Sequence, residues 1–372
     1  MLMLHCRPFL AHKFATGVSN VTIFGAMTIH RNSGLLATLS VLLLTTAALA
    51  ADSVVVLMYH RFGEDKFPAT SIRVEQFQAH LKYLQESGFA VVPLSDVHAA
   101  IRDGRPLPER AVAITIDDAY RSVYDVAFPM FREYGYPFTV FVATDAVDDG
   151  LAAYMTWDQM REMSMAGATF ANHGAAHRST IERDDGANHD AWLAAVRSDI
   201  EKGAGRISEE LELLQGSFAY PYGEYTTDVG NLLRDMGYDS FGQHSGAVGP
   251  HSDRRALPRY PMAESFGDLG QFRTKVASMP LPVADVEPWE PVTAETRPAI
   301  TLTLGATDAR LGELACYVSG QGRVEVDWRE TDRQFVVGPA RPFGKGRQRV
   351  NCTAPRHDGR YLWFSHQWII QP

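Results

Sequence analysis

The chain has 372 residues, 45% hydrophobic and 21% charged. That composition belongs to a folded globular protein and excludes a disordered tail, a collagen-like repeat and a small disulfide scaffold. Lys and Arg number 35 against 44 Asp and Glu, a net charge of -9 at pH 7, so nucleic-acid binding driven by counterion release is not expected.

Residues 1–50 contain no Asp or Glu, and their only Lys or Arg residues are Arg7, Lys13 and Arg31. An apolar run over residues 35–46 follows His30 and Arg31 and precedes Ala48-Leu49-Ala50. These are the charged, apolar and small-residue parts of a secretory signal peptide. The expectation is a leader over residues 1–50, with the working start at Met27 and cleavage after Ala50. The run is short for a bilayer span, and an uncleaved membrane anchor is the alternative. Export to the periplasm or beyond would make Cys316 and Cys352 a disulfide candidate. No stable membrane span is expected after cleavage.

From residue 54 the chain alternates strand-like and helix-like segments. Residues 54–58 are a continuous apolar run, the mark of a buried parallel strand. Residues 74–87 carry Phe77, Leu81 and Leu84 at helical spacing, with Gly88 as a stop. A strand at 89–92, a short helix from Ser95 to Gly104 and a strand at 111–116 follow. Residues 120–134 are read as a helix that Pro129 kinks or delays. Strands at 137–143 and 168–171 flank a helix that Thr156 caps and Gly167 ends. Residues 189–214 are largely helical, interrupted by Gly203 and Gly205. A strand at 217–220, a helix at 226–236 and a strand at 238–241 complete the series. About seven strand–helix units predict a parallel sheet wrapped by helices. The fold class expected is α/β, a distorted (β/α)7 barrel over residues 51–279, with an open doubly wound sheet as the alternative. No glycine-rich phosphate loop follows the first strand, so no nucleotide is expected.

Five prolines between residues 280 and 298 predict a stiff, extended linker. Beyond it, short alternating segments at 300–304, 316–318, 324–328 and 360–370 predict a C-terminal all-β sandwich over residues 299–372. Four of the six tryptophans, at positions 289, 328, 363 and 368, lie in or beside this region. They are either core filling or sugar-stacking platforms.

Four motifs fall at predicted strand ends, where a parallel barrel gathers its functional groups. Thr115-Ile116-Asp117-Asp118 offers two adjacent carboxylates, one able to bind a metal while the other stays free as a base. His173-Gly174-Ala175-Ala176-His177 places two imidazoles at i and i+4, on one face of a helical turn, within reach of one cation. Gly174 stands where a HExxH motif has its glutamate, so the base must come from elsewhere. In Tyr220-Pro221-Tyr222-Gly223, Pro221 and Gly223 fix the backbone so that the Tyr222 amide is free to bind an oxyanion. Tyr220 or Tyr222 is a candidate to line a sugar subsite. His60 ends the first strand on the same rim.

Together these residues resemble the polysaccharide deacetylase family, with its NodB-type, carbohydrate esterase family 4 catalytic domain. Thr115–Asp118, His173–His177 and Tyr220–Gly223 match its first, second and third motifs in order and spacing. The resemblance implies that Asp118, His173 and His177 bind a divalent metal, usually zinc. It further implies that Asp117 is the general base and that the Tyr222 amide forms part of the oxyanion site, with Tyr220, Pro221 and Gly223 as substrate-binding neighbours. Two departures stand out. Ala219 and Gln215 occupy positions where the third motif commonly has arginine, leaving Arg121, Arg178 and Arg259 as candidates to orient Asp117. The late Leu-x-His motif is missing. His60 fits the acid role that a histidine after the first strand takes in the poly-N-acetylglucosamine deacetylase branch, with His244 and His251 next in line. The expected function is hydrolysis of N-acetyl groups from an N-acetylated polysaccharide outside the cytoplasm. The rivals are an O-acetyl glycan esterase using the same site and a non-catalytic glycan-binding protein.

Overall fold

The computed structural model describes residues 50–329 and 333–371. All but the last residue of the expected leader lies outside the described residues. Among the described residues, no helix is long and apolar enough to cross a membrane.

The N-terminal part of the described chain is built on six parallel strands. They are β1 (Val54–Tyr59), β2 (Ala111–Asp117), β3 (Thr139–Val142), β4 (Thr169–Asn172), β5 (Leu213–Ala219) and β6 (Asp239–Phe241), paired in that order. β1 and β2 are buried at every position. This explains their unbroken apolar runs, because both faces of a parallel sheet are covered. Alternate residues serve two cores. Val55, Leu57, Val112 and Ile114 face the helices. Val54, Val56, Ala113, Phe141, Ala171, Ala219 and Phe241 fill the inside of the curl.

The segment after β6 bridges the two edges of this sheet. Leu257 N–H donates to the Ser240 carbonyl (2.7 Å), and Gly242 N–H donates to Leu257 (2.9 Å). A short strand β7 (Tyr260–Pro261) then runs parallel to β1, with Tyr260 opposite Leu57. The chain therefore forms an α/β fold whose curled sheet is joined across its seam by residues 257–261.

The longer helices of this part are α1 (Val74–Glu86), α2 (Leu94–Asp103), α3 (Phe128–Tyr134), α4 (Trp157–Met165), α5 (His189–Glu210), α6 (Thr227–Asp235) and α7 (Leu269–Val276). α3 begins late, with Pro129 in its first turn, after a wider π-helical turn over Val123–Ala127. That placement spares the helix a missing interior donor. α5 runs without a break through Gly203 and Gly205. Gly203 marks a close approach rather than an interruption. A Cβ there would lie 2.7 Å from Asn172 Oδ1 and 3.0 Å from the Gly174 backbone.

Residues 279–370 carry two antiparallel-rich sheets. One contains β10 (Ala315–Val318), β12 (Gly346–Pro355) and β13 (Tyr361–Ile370). The other contains β8 (Val283–Glu287), β9 (Ile300–Leu304) and β11 (Gln334–Val337). Their inner faces share an apolar cluster with Leu302, Phe335, Val350 and Trp368. Cys316 and Cys352, directly opposite on β10 and β12, are joined by a disulfide. The stretch expected as a stiff, extended linker, 280–298, is partly stitched into these sheets. Met279–Pro280 and Val292–Thr293 pair with β13, and β8 is an edge strand of the second sheet. Proline removes only its own donor, and its neighbour Leu281 still donates to Trp363 (3.0 Å). Of the late tryptophans, Trp368 is core, whereas Trp328 is exposed.

Candidate active site

Asp117 is the last residue of β2 and Asp118 the first beyond it. The chain turns sharply here, with left-handed φ values of 76° at Asp118 and 60° at Ala119. His177 (φ 52°) and Tyr222 (φ 58°) share that conformation, so four of the five non-glycine residues with positive φ among the described residues cluster at this rim. Such backbone costs of order 1–3 kcal/mol per residue and survives only where its surroundings hold it.

The i, i+4 histidine spacing is realised by a loop, not by a helical turn. β4 ends at Asn172, and residues 173–177 bend through Gly174 (φ 77°). The loop is fixed from α5, where the Asp199 carboxylate accepts from Ala175 N–H (3.1 Å) and Ala176 N–H (2.9 Å). Asn172 Oδ1 accepts from Gly174 N–H (2.9 Å).

Asp118 Oδ1 lies 3.1 Å from His173 Nε2 and 3.0 Å from His177 Nε2. Three such ligand atoms within 4.8 Å of one another form the one potential metal-binding group among the described residues. His173 Nδ1 is 2.7 Å from the Ala219 carbonyl, which can only accept, so Nδ1 carries a proton. Asp118 Oδ1 and His173 Nε2 are buried without any hydrogen-bond partner. In the neutral ring two lone pairs face each other across 3.1 Å, an arrangement a cation relieves. The donor set, two imidazoles and one carboxylate, suits zinc and similar divalent ions and leaves coordination positions open. Burial disfavours the Asp118 anion, but hydrogen bonding from His173 and His177 when their Nε2 atoms carry protons outweighs it and holds the carboxyl well below the usual range.

Asp117 faces a different partner. Arg259 donates to both of its oxygens at 2.7 Å, with both side chains fully buried, and also donates to the Gly242 carbonyl (3.0 Å) and Thr115 Oγ1 (3.1 Å). Burial alone would push the Asp117 carboxyl up. The guanidinium reverses this and keeps it anionic. Of the three arginines considered from sequence, Arg259 is therefore the one in contact. Arg121 pairs with Asp125 and Arg178 with Asp184.

His60 Nε2 is 3.9 Å from Asp117 Oδ2, beyond hydrogen-bond reach. Burial lowers its pKa, with Asp118 and Asp117 opposing. The Tyr222 ring is 44% exposed and packs edge-on against His177 at 4.7 Å. The backbone bonds of its turn run from Gly223 and Glu224 N–H to the Tyr220 and Pro221 carbonyls. Tyr220 does not face the rim. It is fully buried, packs against Phe218 and Tyr225, and donates its hydroxyl to the Arg255 carbonyl (2.8 Å). Its aromatic bulk serves the core beneath the turn rather than a sugar subsite. Pro221 and Gly223 are also buried and contribute backbone shape. His244 is buried behind the rim, and His251 lines a cavity of about 730 Å³ between the barrel and the C-terminal sheets.

The sequence profile described as polysaccharide deacetylase matches residues 104–241. That span includes the metal-type triad, Asp117 and Tyr222, but neither His60 nor Arg259. The poly-beta-1,6-N-acetyl-D-glucosamine N-deacetylase of Escherichia coli K12 is 26% identical over 242 residues, covering 56% of this chain and 36% of that protein. This chain thus spans about a third of the length of that curated relative. Among solved structures, IcaB from Ammonifex degensii superposes with a TM-score of 0.53 at 25% identity, covering 61% of this chain and 98% of that one. The Streptococcus pyogenes deacetylase PplD superposes at 0.54 and 19% identity, covering 61% and 99%, a likeness of fold.

Proposed function

We propose that the chain, whose residues 104–241 match the polysaccharide deacetylase profile and which is 26% identical to a curated deacetylase over part of its length, is an exported, metal-dependent hydrolase of that family. It removes N-acetyl groups from a glycan of the poly-N-acetylglucosamine type and releases acetate. The observation that carries this reading is the pairing of two unlike carboxylates. Asp118 faces His173 and His177 with its Oδ1 unmatched, while its neighbour Asp117 is clamped and kept charged by Arg259.

Asp118, His173 and His177 would hold the ion. When bound, it supplies Lewis-acid polarisation of the acetyl carbonyl and a water acidic enough to lose its proton near neutrality. Asp117, held anionic, takes that proton. The Tyr222 N–H, at the apex of its left-handed turn, donates a hydrogen bond to the developing oxyanion. His60 hands a proton to the departing sugar amine. Arg259 orients Asp117 bidentately and blocks its rotation. Residues 1–50 as a signal peptide account for export, followed by a catalytic domain and by the C-terminal sheets, which begin near residue 279, as an accessory β domain.

The test is acetate release from β-1,6-linked N-acetylglucosamine oligomers, with chitin oligomers, peptidoglycan and acetylxylan alongside. Release from the amino sugars that a chelator abolishes and zinc restores is the expected result. Release from acetylxylan alone would make the enzyme an O-acetyl esterase. No release from any substrate would contradict a catalytic role.

A further inference from the structure

On β12 and β13, Arg347, Asn351, Trp363, Ser365 and Gln367 alternate with the sandwich core and meet residues of the barrel half. Trp363 meets Tyr260 edge-on at 5.4 Å. Ser245 Oγ lies 3.0 Å from both Asn351 Oδ1 and Ser365 Oγ. Gln367, fully buried, donates from Nε2 to the Gly223 carbonyl at 2.6 Å. Arg347 donates to the Tyr222 carbonyl, and its Nε sits 3.6 Å from the Glu224 carboxylate. Arg347 and Gln367 lie diagonally on neighbouring strands, since Arg349 is directly opposite Gln367. One small patch of the C-terminal sheet thus grips three consecutive residues of the turn that carries Tyr222.

The other side of that turn is held by the segment following the histidine loop. Ser179 donates to the Glu224 carboxylate, and Thr180 Oγ1 donates to its carbonyl (2.7 Å). Without such anchors, a non-glycine residue at φ 58° relaxes toward ordinary backbone, because its Cβ crowds the following carbonyl in the left-handed conformation. Relaxation would swing the Tyr222 N–H away from the rim that Asp118, His173 and His177 define.

Building on the deacetylase reading, we infer that Arg347 and Gln367 are positioning residues, through which the C-terminal sheets fix the Tyr222 turn and complete the oxyanion site. The barrel segment alone is then an incomplete catalyst. Both residues act on carbonyls of the turn and leave the metal-type triad untouched. Their loss is a loss of kcat, with metal and substrate binding preserved.

The test compares full-length Arg347→Met, Arg347→Lys, Gln367→Met and the Arg347→Met/Gln367→Met double variant with wild type. Three readouts are kcat and KM for acetate release, bound metal, and hydrogen exchange of the amides of residues 220–224. Losing an oxyanion donor outright costs about a hundredfold or more in kcat, so partial misplacement in Arg347→Met is expected to cost about tenfold. KM should stay within about twofold and metal occupancy should be unchanged, while a donor-retaining Arg347→Lys should recover most of the loss. Exchange at 222 should quicken in the double variant while the strands of the barrel keep their protection. Wild-type kcat and unchanged exchange in the double variant would overturn the inference. So would a loss of activity matched by loss of metal, since that marks general destabilisation. Should wild type itself release no acetate, the functional reading fails, and hydrogen exchange alone decides the coupling between sheet and turn.

Discussion

The barrel contains two carboxylates, Asp117 and Asp239, that are fully buried and matched by arginine, one closing β2 and the other opening β6. Asp239 accepts from Arg254 (2.5 Å), Arg102 (2.6 Å) and His98 Nδ1 (2.6 Å), and the far nitrogen of His98 meets Ser217 Oγ. Aspartate, histidine and serine in series have the connectivity of a nucleophilic triad. Here the hydroxyl is sealed inside β5, and two guanidinium groups already answer the charge. The series is a clamp tying α2 to β5 and β6. At the other end Asp117 is matched too, but its neighbours Asp118 and His173 keep acceptors with no partner. Buried charge therefore does not mark chemistry in this fold. Unmatched acceptors aimed at one point are what sets the proposed site apart from the Asp239 clamp.

The comparison can be broken by substitution. Asp117→Asn should lower kcat by about a hundredfold to ten-thousandfold, the range for removing a general base, with metal retained. Asp239→Asn should leave kcat within about twofold and instead cost about 1–3 kcal/mol of stability by weakening charge-assisted hydrogen bonds. Acetate release and urea unfolding on both variants decide the matter. A catalytic defect confined to Asp239→Asn would reverse the assignment of the two ends.

His60→Ala sharpens the same contrast. With no close hydrogen bond to Asp117, His60 should be free to act as an acid, and its loss should cost about a hundredfold in kcat on the amide. The loss should be smaller on an activated ester, whose leaving group needs no proton. Loss of bound metal instead would make His60 a structural support.

A smaller effect concerns pH at the contact between barrel and sheets. Burial lowers the pKa of His244 to about 3 and of His366 to about 4. Both are neutral when folded and take up a proton on unfolding once the pH is below about 6.5. Stability should thus fall as the pH drops from about 6.5 towards 4, each group contributing up to about 1.4 kcal/mol per pH unit. His366→Gln should remove about one proton from the slope in urea unfolding between pH 7 and pH 5. An undiminished slope would show that His366 does not titrate this way.

Much of the site was legible because its parts are contiguous and end strands. Asp117-Asp118, His173–His177 and the Tyr222 turn announce themselves by residue type and position. Arg259 does not, since it reaches Asp117 only because residues 257–261 return to bridge the first and last strands. Its one local signal is a lone arginine among Leu257, Pro258, Tyr260 and Pro261, all of apolar or aromatic type. Gly203 was legible as an oddity but not as a contact, because what crowds it is a loop thirty residues earlier. Arg347 and Gln367 carry no signal at all, since their partners are backbone carbonyls more than a hundred residues away. The proline-rich stretch misled for a related reason: composition predicts stiffness but not which neighbouring strand accepts it.

The central claim is that Asp118, His173 and His177 form one metal centre, and metal content tests it without any assumption about substrate. Elemental analysis of full-length protein dialysed against trace zinc should find about one equivalent in wild type and less than about a tenth in the His173→Ala/His177→Ala double variant, because three protein ligands leave no redundancy. Wild-type occupancy in that double variant would contradict the claim.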